Sequence, residues 1–362
     1  MRIIATGFQL PMKIFRLLIF LCSIPLLRAA ETPAQIPFSE AQQKLRGEFA
    51  TKVQGSEKKN AAACAGADGW LFFTAELRFL SLGPFWSDEA PKVSRSHKPD
   101  LADPIPAIVD FQKQLKARGI DLLVVPVPPK AAIYPEKILP GFDVGRDDSA
   151  PVPHRFYQEL RASGVDVLDL TSLFIQNRDD KRGGVFCKTD SHWSGVGCTL
   201  AAQAIAEAVR GKLTALPRKD YVSEWKDVQI DGDLAGLLPR DSPKPGPERV
   251  AVRSVNEKET GTAVQPDANS PLLLLGDSHT LVFHDFLAEH AGLVDQLAQE
   301  LGFAPDLIGT RGSGATPVRV SLYRHSLKNP DYLAKKKVVV WCFAAREFTE
   351  AAEGWARIPV VK

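Results

Sequence analysis

The run Leu272-Leu273-Leu274-Leu275, bounded by Pro271 and Gly276, shows no alternation of apolar and polar residues. A strand with one face in water alternates, so four consecutive leucines need cover on both faces. Few architectures satisfy that need, and the run belongs inside a layered α/β fold with helices above and below the sheet. It stops abruptly at Gly276-Asp277-Ser278-His279-Thr280. A serine at a strand-to-helix turn has its hydroxyl lifted off the sheet and its N–H near the positive end of the helix dipole. That is a suitable place for a nucleophile.

The same rhythm of strand and helix extends along the chain. A helix is expected at 106–118, with Ile108, Phe111 and Leu115 on one face, followed by an apolar strand at 120–128. Further units are a helix at 154–162 with a strand at 165–170, helices at 195–209 and 293–301, and a last strand at 337–343. Continuous apolar strands alternating with helices imply a three-layer α/β/α sandwich on a mainly parallel sheet, whose ligands sit at the strands' carboxyl ends. Residues 31–54 suit a polar helix, and Asp68-Gly69-Trp70-Leu71-Phe72-Phe73 a short strand after a turn. Residues 81–103 read as a surface loop. Residues 213–270, rich in proline, glycine and charge around Gly232-Asp233-Leu234-Ala235-Gly236-Leu237-Leu238, read as an insertion or small subdomain. Such a segment is either a lid over the site or a solvated connection.

At the start of the chain, Lys13 and Arg16 precede the apolar stretch 17–27, and Ala29-Ala30 follow it. This three-part pattern predicts a secretory signal peptide over residues 1–30, since the stretch is shorter than the ~20 residues of a membrane span. The remainder, 31–362, is expected to act in the periplasm, with an uncleaved membrane anchor as the alternative. Four cysteines lie beyond the signal, Cys64, Cys187, Cys198 and Cys342. An even number in an exported chain predicts disulfides, and a Cys187–Cys198 bond would brace the segment between them. Four buried free thiols are the alternative. No Cys-x-x-Cys pair points to zinc, and no motif calls for a metal or cofactor. A net charge of +2 over 362 residues gives no overall field for nucleic acid.

A nucleophilic Ser278 needs a base, and Thr189-Asp190-Ser191-His192-Trp193-Ser194 offers one. Residues i and i+2 of an extended segment share a side, so Asp190 can reach the His192 Nδ1–H and leave Nε2 for the serine. A carboxylate that fixes the tautomer of a histidine, which in turn deprotonates a serine, is recognised by geometry and not by order along the chain. His279 and His284 are rival bases, ranked below His192 because one directly follows the serine and the other is a lone histidine. A second oxyanion donor is expected from Thr310-Arg311-Gly312-Ser313-Gly314 or from Arg346. Arg346 is equally suited to a structural ion pair. Lys130 and Tyr134, after the strand at 120–128, are candidates for binding sugar or acid groups, with a structural role as the alternative.

These residues carry a resemblance. Gly276-Asp277-Ser278, Thr189-Asp190-Ser191-His192-Trp193, Asp68-Gly69-Trp70-Leu71-Phe72, the run from Val127 to Pro135 and Ala344-Ala345-Arg346-Glu347 together resemble the SGNH-hydrolase-like domain of the periplasmic alginate O-acetyltransferases. The order of the motifs is the most specific signal, with Asp-x-His before Gly-Asp-Ser. The resemblance implies a flavodoxin-like SGNH fold and an exported enzyme that moves acetyl groups onto a polysaccharide, with Ser278, His192 and Asp190 as its triad. It also implies an acetyl donor supplied by a membrane-bound O-acyltransferase, and hence association with the inner membrane. A carbohydrate acetyl esterase would use the same triad. A non-catalytic polysaccharide-binding protein would keep the sheet without needing Ser278.

Overall fold

The computed structural model describes residues 36–213 and 218–361, so the expected signal peptide at 1–30 lies outside the described residues. In chain order the strands are β1 (Ala63–Ala65), β2 (Leu71–Phe73), β3 (Asp121–Val127), β4 (Asp166–Val167), β5 (Tyr221–Ile230), β6 (Glu248–Glu257), β7 (Leu272–Gly276), β8 (Asp306–Gly309) and β9 (Val338–Ala344). The central sheet has the order β4-β3-β9-β7-β8, and every pairing within it is parallel. All four leucines of β7 are 0% exposed, as a strand covered on both faces must be.

Side chains alternate along β9 and so identify the two covering layers. Trp341 meets Phe111 of the helix Pro104–Lys116 edge-on at 5.4 Å and lies under the guanidinium of Arg319 from the helix Thr316–Lys328 at 5.3 Å. Cys342, on the other face, lies near Cys198 of the helix Gly195–Arg210, which packs against the helix Leu293–Leu301. The first of these helices starts where Asp103 accepts a hydrogen bond from the Ile105 N–H at 3.0 Å, and it buries Ala107, Ile108, Phe111 and Leu115 at helical spacing.

Several expectations are corrected. Residues 81–103 are not a surface loop: Phe85 and Trp86 are buried, and Phe85 stacks on Phe348. The strand at 165–170 shrinks to the two residues of β4, while β8 and the helix Thr316–Lys328 lack any sequence expectation. No disulfide forms among the described residues, and Cys64, Cys187, Cys198 and Cys342 are buried free thiols. Cys187 and Cys198 face different partners, the backbone carbonyls of Trp193 and Ala291. Within residues 213–270 the chain forms an antiparallel ribbon in which β5 and β6 pair from Tyr221↔Glu257 to Ile230↔Glu248. β6 rests on the helices Gly195–Arg210 and Leu293–Leu301. No helix among the described residues is long and apolar enough to cross a membrane.

Candidate active site

β7 delivers Ser278 at its carboxyl end, and the turn is held by the preceding residue. Asp277 accepts the His279 N–H on Oδ1 at 2.9 Å and the Ala344 N–H on Oδ2 at 2.7 Å, which ties the turn to the end of β9. Burial works to raise the Asp277 carboxyl, but His279, Arg346 and the Ala344 N–H outweigh it and hold it at about 2. Gly276 allows the close approach, since an added Cβ would sit 1.9 Å from the Cys342 carbonyl oxygen. The chain then makes a single 3-10 turn, Ser278–Thr280, in place of the expected helix. The Ser278 N–H therefore has no long helix dipole behind it.

Asp190 and His192 come from the segment that leads into the helix Gly195–Arg210, where Ser194 accepts the Val196 and Gly197 N–H groups. His192 Nδ1 lies 2.7 Å from Asp190 Oδ1, and His192 Nε2 lies 2.7 Å from Ser278 Oγ. Asp190 and His192 are buried while Ser278 is half-buried, so the hydroxyl is the open end of the relay. Burial would raise the Asp190 carboxyl. The His192 hydrogen bond and charge, with the Asp233 and His192 N–H groups, bring it down to about 2, which keeps it ionised. Phe286 meets the His192 ring edge-on at 5.5 Å.

The rival bases are engaged elsewhere. His279 Nδ1 faces Asp277 Oδ1 at 3.2 Å, and burial lowers its pKa, while His284 Nδ1 lies 2.9 Å from Asp295 Oδ2. Lys130 does not face a substrate: its Nζ is 0% exposed and donates to the carbonyls of Leu71, Lys188 and Asp190. Burial lowers its pKa against the opposing charge of Glu76. Tyr134 is also internal, donating to the Arg178 carbonyl and accepting the Val185 N–H. Arg346 takes the ion-pair alternative, with Nη1 3.1 Å from Glu76 Oε1. Arg311 is exposed, pairs with Asp285 at 3.0 Å and covers the ring of Phe286 at 4.5 Å. Gly312 occupies an exposed turn with φ +101°, whereas a Cβ added at Gly314 would sit 2.6 Å from the Phe343 Cβ and 3.0 Å from the Asp277 Cβ. Gly314 thus brings the 310–314 loop beside the nucleophile's turn.

Two residues that the sequence did not single out complete the frame. Asp233, between β5 and β6, donates its N–H to Asp190 Oδ2 at 3.0 Å and accepts from the Ser191 N–H and Oγ. Glu248, the first residue of β6, accepts the N–H groups of Lys188 and Thr189, each at 2.8 Å. Asp190, His192 and Asp233 cluster closely enough to resemble a metal site. Their hydrogen bonds commit them instead to one another and to Ser191, with the His192 Nδ1–H spent on Asp190. The signal for Asp233 was its place in the apolar centre of the 213–270 segment. Nothing local marked Glu248.

The profile described as "SGNH hydrolase-like domain, acetyltransferase AlgX" matches residues 63–345. A probable alginate O-acetylase AlgJ of Pseudomonas aeruginosa is 31% identical over 182 residues, which cover 49% of this chain and 41% of that protein. The corresponding AlgJ of Pseudomonas putida is 27% identical over 296 residues, 78% of this chain and 69% of its own length. The solved O-acetyltransferase domain of Pseudomonas putida AlgJ superposes with a TM-score of 0.59 at 25% identity, covering 80% of this chain and 92% of that domain. With the matched segment spanning most of the chain, the protein belongs to the AlgX family of SGNH-hydrolase-like acetyltransferase domains.

Proposed function

We propose that the protein is an exported O-acetyltransferase that moves acetyl groups onto hydroxyls of a secreted or cell-surface polysaccharide through an acetyl-serine on Ser278. The observation that carries the reading is the unbroken relay from Asp190 through His192 to the half-buried Ser278 hydroxyl. Membership of the family, and relatives named as probable alginate O-acetylases, support acetyl transfer over other uses of such a relay.

In the first step His192 Nε2 takes the Ser278 proton as Oγ attacks the acetyl carbonyl, and Asp190 stabilises the resulting imidazolium. His192 returns the proton to the departing oxygen. In the second step it deprotonates an acceptor hydroxyl, which attacks the acetyl-serine and frees Oγ. The tetrahedral oxyanion is assigned to the Ser278 N–H and a donor from the 310–314 loop, which Gly314 packs beside Asp277. Each such donor is worth roughly 10²–10³ in rate. The acetyl donor is expected from a membrane-bound O-acyltransferase. That supply places the protein in the periplasm near the inner membrane, reached through the signal at 1–30.

Incubation of the purified protein with an activated acetyl ester and a panel of polysaccharides tests the reading. Acetylated glycan is expected from the parent and not from Ser278→Ala or His192→Ala, each of which should lose at least about a thousandfold in acetyl turnover. Full turnover by both variants would overturn the relay. Free acetate as the sole product with every acceptor would convert the assignment to an esterase.

A further inference from the structure

We propose that Lys130 is a positioning residue for the reaction, one whose ammonium fixes the backbone bearing Asp190 and His192 against Ser278. This deepens the acetyltransferase reading and rests on its assignment of the relay from Asp190 through His192 to Ser278. His192 Nε2 and Ser278 Oγ meet at 2.7 Å although 86 positions separate them in the chain. Ser278 is delivered by a sheet strand, whereas residues 188–192 form an irregular bend ahead of the helix Gly195–Arg210. Such a bend has no ladder to occupy its backbone groups, and buried ones need partners.

Charged side chains take the place of that ladder. The N–H groups go to carboxylates, those of Lys188 and Thr189 to Glu248 and that of Ser191 to Asp233. The carbonyls of Asp190 and Lys188 go to a single cation. Lys130 Nζ lies 2.6 Å from the Asp190 carbonyl oxygen, 3.3 Å from that of Lys188 and 2.9 Å from that of Leu71, at the start of β2. Carbonyl oxygens only accept, so three of them need three N–H groups, which an ammonium has and a neutral amine lacks. Lys130 is fully buried, so water cannot replace any of the three. Its shortest bond goes to the residue that orients His192.

Two sequence features are thereby joined to the site. Asp68-Gly69-Trp70-Leu71-Phe72 supplies the fixed point, since the Leu71 N–H donates to the Lys188 carbonyl at 2.8 Å while the Leu71 carbonyl accepts from Nζ. The run from Val127 to Pro135 supplies Lys130 just beyond the carboxyl end of β3. Its backbone is anchored in turn, because the Lys130 N–H donates to Glu76 Oε2 at 3.3 Å and Glu76 Oε1 accepts from Arg346, just beyond β9. β9 is the strand whose Ala344 N–H is held by Asp277. A buried chain of charges therefore runs from the turn of the nucleophile to the segment of the base. Lys336 supplies the contrast: its Nζ donates to the carbonyls of Ala268 and Ser270 and to Asp306, ahead of β7 and β9, at the sheet end opposite Ser278.

Steady-state kinetics on an activated acetyl ester, normalised to folded protein by circular dichroism, tests the assignment. Lys130→Met keeps the apolar stem and removes the three donors. Its kcat should fall about a hundredfold, the scale of a 1 Å misplacement, with KM unchanged because the side chain is buried away from substrate. Lys130→Gln, whose amide N–H groups end one bond short of the carbonyls, serves where the methionine variant does not fold and should lose at least about tenfold. Lys336→Met, the loss of a buried lysine far from the relay, should lower Tm and leave kcat per folded molecule at the parent value. In an Asp190→Ala background Lys130→Met should cost no more than about threefold, because residues that act through one another do not add. A parent-like kcat in folded Lys130→Met or Lys130→Gln would overturn the proposal. So would an equal loss from Lys130→Met with and without Asp190, or an equal loss in Lys336→Met. Turnover that survives Ser278→Ala would overturn the relay itself, whereas turnover lost in Ser278→Ala and kept in Lys130→Met would remove only the lysine's part.

Discussion

Asp190 accepts three hydrogen bonds, from His192 N, His192 Nδ1 and Asp233 N, and it needs its charge to accept them all. An amide in its place offers one acceptor oxygen where the carboxylate offers two. Asp190→Asn is therefore expected to keep the fold and lower kcat by about 10⁴-fold, the cost of presenting the wrong histidine tautomer to a serine. Steady-state kinetics on an acetyl ester, with circular dichroism as the control for folding, measures it. A second residue makes a separate pH prediction. The Ser313 hydroxyl lies 2.5 Å from Glu347 Oε2 and 2.9 Å from Glu353 Oε1, yet it has a single proton to give. A protonated Glu347 resolves the shortage by donating to Ser313, which then donates to Glu353. Burial raises the Glu347 carboxyl to about 7, against the opposing charge of Arg346. A carboxyl raised in the folded state contributes stability that is complete below its unfolded value of 4.5 and is lost as pH rises through about 7. Thermal unfolding of the parent should show that loss between those limits. Glu347→Gln, which keeps the hydrogen bond and removes the titration, should flatten it.

At the scale of elements, the β5–β6 ribbon matters most to the site through its turn. Gly232 has φ −66°, open to any residue, but an added Cβ would sit 2.2 Å from the Thr189 carbonyl oxygen. The restriction is thus steric and not conformational. Gly232→Ala is expected to push the Asp233 turn off the segment bearing Asp190 and lower kcat about tenfold or more, the scale of a small misplacement, while Tm falls by only a few degrees. Equal activity in the variant would show that the ribbon's turn does not position the relay. The ribbon also marks the limit of what local sequence reveals. Asp190, His192 and Ser278 were legible because their chemistry is specific and their neighbours announce the backbone, a two-residue spacing in one case and a leucine run in the other. Asp233 and Glu248 act through contacts 43 and 59 residues distant, and a single acid in a polar segment looks like any solvated charge. Lys130 was misread for a related reason: a lysine after a strand is ordinarily exposed, and its three carbonyl partners come from two other segments. β8, four residues beginning with an aspartate, carries too little apolar signal to be seen without the sheet beside it.

For the whole molecule, the alternation of strands and helices made the layered architecture readable, because burial on both faces of a parallel sheet leaves a plain mark on composition. Cysteine count carried no such information. Parity counts thiols without regard to where the core puts them, and here the four described ones are packed inside, with burial raising the thiols of Cys187, Cys198 and Cys342 far from reactivity. A thiol reagent should find almost no reactive sulfur at these positions in the native protein and reach all four once denaturant is added. Because no covalent cross-link among the described residues ties the sheet to its helices, Tm should be the same with and without dithiothreitol. The consequence reaches beyond stability. Four described cysteines that end unpaired need no oxidant to reach the native state, but in an oxidising compartment the folding chain must bury these thiols before they are oxidised into pairings that the core cannot hold.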